Sequence, residues 1–547
     1  MVDLQRNIFI IALLIVSFVL WQEWQKDVLI LNSTIDTQKD LHCDTSHNLN
    51  HTNKYIHNKQ GKLITVKTDV LSLYINTYGG NVEEAFLLTY FKTVDSSDPV
   101  HFLQNSQNYV YQAQSGLIGK NGVDNVHKKN RPLYFSQKDH YILEKSANVL
   151  YVPLIYINSE GIIYKKIFVL HRNSFAVKVY YKINNITDYP LELILYGQIQ
   201  QSISPPSKNS NILDSSLLYR TYRGVAYSCC QNKYIKYSFE DIKKDNIYIN
   251  TKEGWIAMLQ KYFVTAWIPK TSGNNMFYIK YSPNHEQIIA GFRSSSIIVY
   301  PGNQNVLESI LWIGPEIQDS MRVVAPNLDF TVDYGWLWFI SQPLLKLLQF
   351  IHGYVKNWGF AIIIITFILR GIMYPLTKMQ YMSIAKIRIL QPEIAKIREK
   401  FHDKIRQSQE IMLLYKEKKI NPLCSFFPLL IQMPIFLGLY YMLSDSIELR
   451  HAHFILWIND LSEKDAYYIL PILMGLTMFI IQKFFPSAHT IDDPIQKKIM
   501  VFVPIIFTIF FLWFPSGLVL YYIVSNFVTI IQQKFIYREL EKIGLNI

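Results

Sequence analysis

Cysteine is nearly absent: the 547-residue chain has only Cys43, Cys229, Cys230 and Cys424. That rules out a disulfide framework, and the adjacent Cys229-Cys230 pair would bridge only with strain. No two cysteines have the Cys-x-x-Cys spacing of a zinc or redox motif. Charge is also sparse, at 18% of residues against 50% hydrophobic. No glycine-rich phosphate loop is present, and no combination of nucleophile and base stands out. The chain therefore gives no sign of thiol chemistry, nucleotide hydrolysis, a metal or a cofactor, and is not expected to be an enzyme.

What charge there is leans positive, with a net of +12. An anionic partner such as lipid headgroups or RNA is one explanation. The plainer one is that a membrane protein gathers Lys and Arg in its cytoplasmic loops. Nothing in the pattern points to sequence-specific binding of nucleic acid.

Hydrophobic runs dominate the organisation. Ile8 to Trp21 is uncharged, follows Arg6 and ends near Trp24. It is short for a span, but no small-residue cleavage site follows, so 1–24 reads as an uncleaved anchor. Residues 25–61 form a polar linker. The spacing of His42, His47, His51 and His57 there suits adventitious metal contact rather than a site. From 62 to 332 the pattern becomes short and alternating, as in Leu71 to Ile75, Ile162 to Leu170, Ala176 to Ile183 and Ile297 to Tyr300. Gly79-Gly80 and Pro205-Pro206 supply turns. Such a segment predicts an all-β sandwich of about 270 residues.

Beyond it the chain becomes helical and apolar. Residues 333–357 carry Gln342, Lys346, Gln349, Gly353 and Lys356 along one stripe, with Trp336, Trp338 and Phe350 outside it. This predicts an amphipathic helix in the membrane interface. Spans are expected at 358–376, 423–444, 466–483, 499–515 and 516–533, six with the anchor. They are joined by loops at 377–422, 445–465 and 484–498, and a short tail runs from 534 to 547. The stretch from Lys378 to Pro422 has eleven basic and five acidic residues, whereas that from Asp445 to Asp465 has two and five. Lys497, Lys498, Lys534, Arg538 and Lys542 fall on the basic side. The positive-inside rule then places both termini in the cytoplasm and the β domain outside.

Arg370 is the informative residue. It lies about six residues before the expected end of its span near Leu376, roughly 9 Å inside at helical rise. A central Arg costs about 2.5–3.5 kcal/mol on insertion scales, and less near an edge. Snorkelling, an ion pair and a wet internal cavity are the three ways to place it. Helical side chains lean towards the helix N-terminus, here away from the cytoplasm, which favours the cavity. Thr366 lies one turn away on the same face. No intramembrane Asp or Glu is available as a partner. The other spans offer only neutral groups, among them Gln432, Thr477, Thr508, Ser525, Asn526, Tyr521 and Tyr522. A proton-coupled transporter usually needs an intramembrane carboxylate. Recurrent prolines (Pro375, Pro428, Pro434, Pro471, Pro504) fit either a deformable bundle or ordinary membrane-helix composition.

In the basic loop, Ile387, Leu390, Ile394, Ile397 and Phe401 follow coiled-coil spacing. Pro392 breaks or restarts the helix, and His402-Asp403 turns it into a hairpin. Lys386, Arg388, Lys396, Arg398, Lys400, Lys404 and Arg406 make that hairpin either a docking face for a cytoplasmic partner or a merely solvated one.

The strings NWGFAIIIITFILRGIMYPLTK, NPLCSFFPLLIQMPIFLGLYYML, YYILPILMGLTMFIIQK and FFLWFPSGLVLYYIVSN closely resemble the YidC/Oxa/Alb family of membrane protein insertases. The likeness covers most of 333–545. The β segment is similar, more loosely, to the periplasmic domain of Gram-negative members. The resemblance implies an inner-membrane insertase and chaperone with a periplasmic β-supersandwich. It also implies a five-helix core around a hydrophilic groove. Arg370 matches the groove arginine, and Thr366 with Tyr521 or Tyr522 matches the substrate contacts. Implied partners are client membrane proteins, membrane lipids, the Sec translocon, ribosomes and the signal recognition particle system. Cys424-Ser425 replaces the family's Gly-Gly, and no basic tail precedes Ile547, which puts ribosome binding through a tail in doubt. The rival readings are a solute transporter or channel, and an assembly factor acting through the β domain.

Overall fold

The computed structural model describes residues 61–94, 96–125, 131–204, 223–271, 273–401, 403–418, 420, 427–484 and 494–542. The expected anchor and linker with their histidines lie outside these residues. So do Pro205-Pro206, Cys43, the Cys424-Ser425 departure and the last five positions.

Among the described residues, strands from Leu63 to Pro315 build an eleven-stranded and a nine-stranded sheet. The alternation read from the sequence is present in the structure: along Ala176–Asn184, Val177, Val179, Tyr181 and Ile183 face inward and their neighbours do not. Inner faces of both sheets merge into one core. Tyr111 of the larger sheet donates to Thr265 Oγ1 of the smaller at 2.8 Å, so the two sheets are also joined by polar contacts. Trp255, Trp267 and Trp312 are fully buried in this core. Each contributes up to about 6 kcal/mol by area, an upper estimate. The tight corner falls at Gly79 and Gly80, where φ is +76° and +62°. An L side chain is strained in that region, so glycine serves there. Two short helices, α1 (Phe239–Lys244) and α2 (Gln318–Val324), accompany the strands of this all-β domain.

One inward position is charged. Lys166 has no exposed surface, and its Nζ donates to the carbonyls of Gly80 (2.6 Å), Ser115 (3.0 Å) and Gly79 (3.3 Å). Burial pushes this ammonium well below its ordinary range, partly offset by Asp124. The three carbonyls use every ammonium proton, so hydrogen bonding favours the charged form. Cys229 and Cys230 are free thiols.

The helical part comprises α3 (Trp338–Val355), α4 (Trp358–Ile372), α5 (Tyr374–Ile389), α6 (Gln391–Lys400), α7 (Lys404–Glu417), α8 (Phe427–Asp445), α9 (Ile469–Phe484), α10 (Pro494–Phe511) and α11 (Ser516–Lys542). α3 buries Leu344, Leu345, Leu348 and Ile351 while Trp338, Phe350 and Tyr354 stay exposed. Among the described residues no single helix is long and apolar enough by itself to cross a membrane, although α4 and α5 together pass as a pair bent by 57°. The expected straight run to Leu376 instead stops at Ile372. Pro375, in the first turn of α5, lacks an amide proton and suits a helix start better than a continuation. Pro392 does the same at the start of α6, and Asp403 caps α7 by accepting from Ile405 N at 3.0 Å. α6 and α7 are thus separate helices, each started by a local signal.

The two parts are fastened together. Ile447, just after α8, joins the β-domain core. Tyr262 donates to Ser444 O at 2.8 Å, and Lys236 pairs with Asp333. The same connecting segment reaches α11, where Ser516 N and Gly517 N donate to the carbonyls of Glu463 and Leu461.

Candidate functional site

A cavity of about 290 Å³ opens between α4, α5, α8, α9 and α11. At liquid density that is room for on the order of ten waters. Arg370 lines it together with the neutral polar residues Thr377, Gln432, Asn526 and Thr529. Met373, Met478 and Ile481 supply an apolar wall.

Arg370 is only 9% exposed. Its Nε donates to Ser525 Oγ at 2.6 Å, and its own carbonyl accepts from Gln532 Nε2 at 2.9 Å. The last helix thus holds both the side chain and the backbone of this residue. Among the described residues no carboxylate comes within ion-pair distance of it. Asn526 Nδ2 donates to Thr477 Oγ1 at 3.0 Å, tying α11 to α9 on the opposite wall.

The other expected site residues fall in different places. Thr366 is fully buried and turns back on its own helix, donating to Ile362 O at 2.6 Å, outside the cavity lining. Tyr521 is 3% exposed and sits beside Ser525, within electrostatic reach of Arg370. Tyr522 points into an aromatic cluster with Phe436 and Phe511. Neither ring lines the cavity. Lys386, Arg388, Lys396, Arg398, Lys400, Lys404 and Arg406 are spread along α5, α6 and α7. Of these, Lys386, Lys396, Lys400 and Arg406 are exposed, and Arg388 and Arg398 are half-buried.

Sequence reasoning missed Thr377, Gln380, Tyr381, Gln482, Thr529 and Gln532. The signal was there: Thr366, Arg370, Met373, Thr377 and Gln380 recur at helical spacing, as do Ser525, Thr529 and Gln532. These two stripes approach each other where α4, α5 and α11 meet. Gln533 Nε2 donates to Tyr381 OH, and Lys378 pairs with Glu539 just beyond.

A two-sheet β domain set on a bundle of apolar helices around a polar cavity defines a multi-pass helical membrane protein with an all-β domain outside the bilayer. Residues 63–347 match the family model described as YidC periplasmic domain, and 350–543 match that described as 60Kd inner membrane protein. The chain belongs to the YidC family: it is a membrane protein insertase of the inner membrane, with a periplasmic domain, and acts on client membrane proteins. Among solved structures it is similar to an active YidC insertase with the first transmembrane domain resolved. Identity is 17%, with 87% of this chain and 93% of that one covered and a TM-score of 0.38. A galactose mutarotase related enzyme from Lactobacillus acidophilus matches 46% of this chain and 97% of its own, at 9% identity and a TM-score of 0.30. A putative aldose 1-epimerase from Escherichia coli matches 46% and 99%, at 10% identity and a TM-score of 0.30.

Proposed function

We propose that the Arg370 cavity is the groove through which the polar flank of a client enters the bilayer, with both chain termini and the basic hairpin in the cytoplasm. The observation that carries this reading is a buried guanidinium with a polar space for several waters beside it and no acidic partner among the described residues. Moving an apolar client helix of about 20 residues into lipid is downhill, so the barrier lies in its polar flank. Water and one fixed cation partway across shorten the path over which that flank is desolvated. No bond is broken, and partitioning of the client supplies the energy. α3 lies in the interface on the periplasmic side. The basic face of α5–α7 docks the ribosome or the signal recognition particle system, and insertion proceeds alone or beside the Sec translocon.

The test is insertion of paired single-span clients that differ only in translocated-tail charge. Arg370→Ala should impair the acidic-tailed client more than the neutral one. Equal loss on both would remove the electrostatic role. Photocrosslinking to a stalled nascent chain from Gln432 and Asn526, on the cavity wall, and from Thr366 and Tyr522, outside its lining, locates the path directly.

A further inference from the structure

The geometry points to a second ligand for the same cavity: a phosphate group, carried by a lipid headgroup, that neutralises Arg370 when no client is present. The guanidinium spends Nε on Ser525, and Arg370 lines an open space. A buried cation without an acidic partner is costly unless an anion or water satisfies it. Among the described residues the cavity lining supplies no such anion: Gln432, Asn526, Thr377 and Thr529 are all neutral. Arginine forks match phosphate oxygens bidentately, and the Gln432 amide and the second amide proton of Asn526 can add to them. The Thr377 and Thr529 hydroxyls already donate to Met373 O and Ser525 O and give the site polarity rather than donors.

The apolar part of the lining says which phosphate. Met373, Met478 and Ile481 give the cavity an apolar side that a bare inorganic ion would leave unused. An amphiphile uses both, with phosphate against Arg370 and glycerol carbons along the methionines. Methionine, unbranched and polarizable, adapts to such irregular apolar contacts. A client's acidic flank would then displace a resident headgroup rather than enter an empty cation site. The inference rests on placing the cavity within the bilayer, but it does not require that clients pass through it. Lipid binding is measured with no client present, so its failure and the failure of the groove reading can be told apart.

The experiment uses the full-length protein in detergent, stripped of lipid and titrated with three probes. These are dioleoyl phosphatidylglycerol, dioleoylglycerol with the same chains and no phosphate, and inorganic phosphate. Bound probe is counted by native mass spectrometry. Phosphatidylglycerol is expected to bind at a single saturable site, weakened about tenfold or more by Arg370→Gln, with Arg538→Gln as a surface control that leaves it unchanged. Dioleoylglycerol binding as tightly, or Arg370→Gln binding phosphatidylglycerol as well as the wild type, overturns the proposal. Inorganic phosphate saturating the site and excluding the lipid assigns it to a free anion and overturns the lipid source. Should Arg370→Gln not fold, Gln432→Leu is the second variant. It should lower the thermal stabilisation given by phosphatidylglycerol, and an undiminished stabilisation counts against the site.

Discussion

Arg450 donates through Nη2 to the backbone carbonyls of Phe91 (2.8 Å) and Lys92 (3.1 Å) while its guanidinium lies over the Phe263 ring, 5.7 Å from the centroid. One side chain from the segment after α8 therefore grips two strands of the β domain. Tyr262, on the adjacent turn, grips back at Ser444. This fastening predicts that Arg450→Gln combined with Tyr262→Phe loosens the domain without unfolding it. Each lost hydrogen bond of this kind is worth about 1–3 kcal/mol. Hydrogen exchange should rise in 445–465 and at Phe91–Lys92 while the sheet interior stays protected. Protection unchanged in 445–465 would show that the apolar contact of Ile447 suffices.

The same junction gives a pH dependence. Burial holds the Glu448 carboxyl above its ordinary 4.5, against the opposing hydrogen bond from Gln349 Nε2 at 2.9 Å. The folded state therefore keeps its proton to higher pH than the unfolded chain does. As pH rises through the window just above 4.5, the unfolded state loses its proton first and stability falls. A carboxyl that holds its proton tenfold more tightly in the folded state costs about 1.4 kcal/mol once both states have ionised, and less where water still reaches it. Glu448→Gln should melt at the same or higher temperature at neutral pH, and melting curves from pH 4.5 to 7 should show a flatter profile than the wild type.

Lys166 poses a choice between two costs. Replacing it with Met removes a buried charge, which can stabilise a protein. It also leaves the carbonyls of Gly79, Gly80 and Ser115 short of a donor in a site sealed from water. Gly80 O loses its short bond, and Gly79 O and Ser115 O are left with the long 3.4 Å contacts from Arg131 Nη2. That loss outweighs one desolvated ammonium that is already fully hydrogen-bonded, so Lys166→Met should destabilise the β domain by roughly 1–3 kcal/mol. Unfolding followed by fluorescence of the buried tryptophans reads this out. A stabilised variant would mean that the charge, not the carbonyls, dominates.

Lys166 also marks how far the sequence could be read. Tyr164, Lys166, Phe168 and Leu170 alternate with Ile163, Lys165 and Ile167, so period-two reasoning does place Lys166 on the inner face. What it cannot supply is the partner, because Gly79 and Gly80 arrive from a turn and Ser115 from a strand about fifty to ninety residues away. The helical part behaves the same way. Local rules locate Arg370, the restart at Pro392 and the cap at Asp403, since each acts within one turn. The groove role of Thr366 is implied by the family resemblance, and the face it shares with Arg370 only continues a polar stripe. Its hydroxyl is consumed by Ile362 O, a back-bond that a helical threonine makes readily. The cavity wall comes from five helices, and no spacing within one of them specifies which faces converge.

The contact between Ser525 and Arg370 leads to the most discriminating prediction. Ser525 is fully buried, and its hydroxyl is the fixed point against which the guanidinium is aimed. Ser525→Ala keeps the cation but frees Nε, so the side chain gains rotamers and loses a charge-assisted bond worth about 1.5–3 kcal/mol. Insertion of acidic-tailed clients should fall several-fold, less than for Arg370→Ala. Neutral-tailed clients should be nearly unaffected, and Ser525→Thr, which keeps a hydroxyl, should restore most of the loss. A merely structural serine would behave otherwise: its loss would depress both clients together and lower the melting temperature, and threonine, bulkier in a packed helix contact, would be the worse substitute.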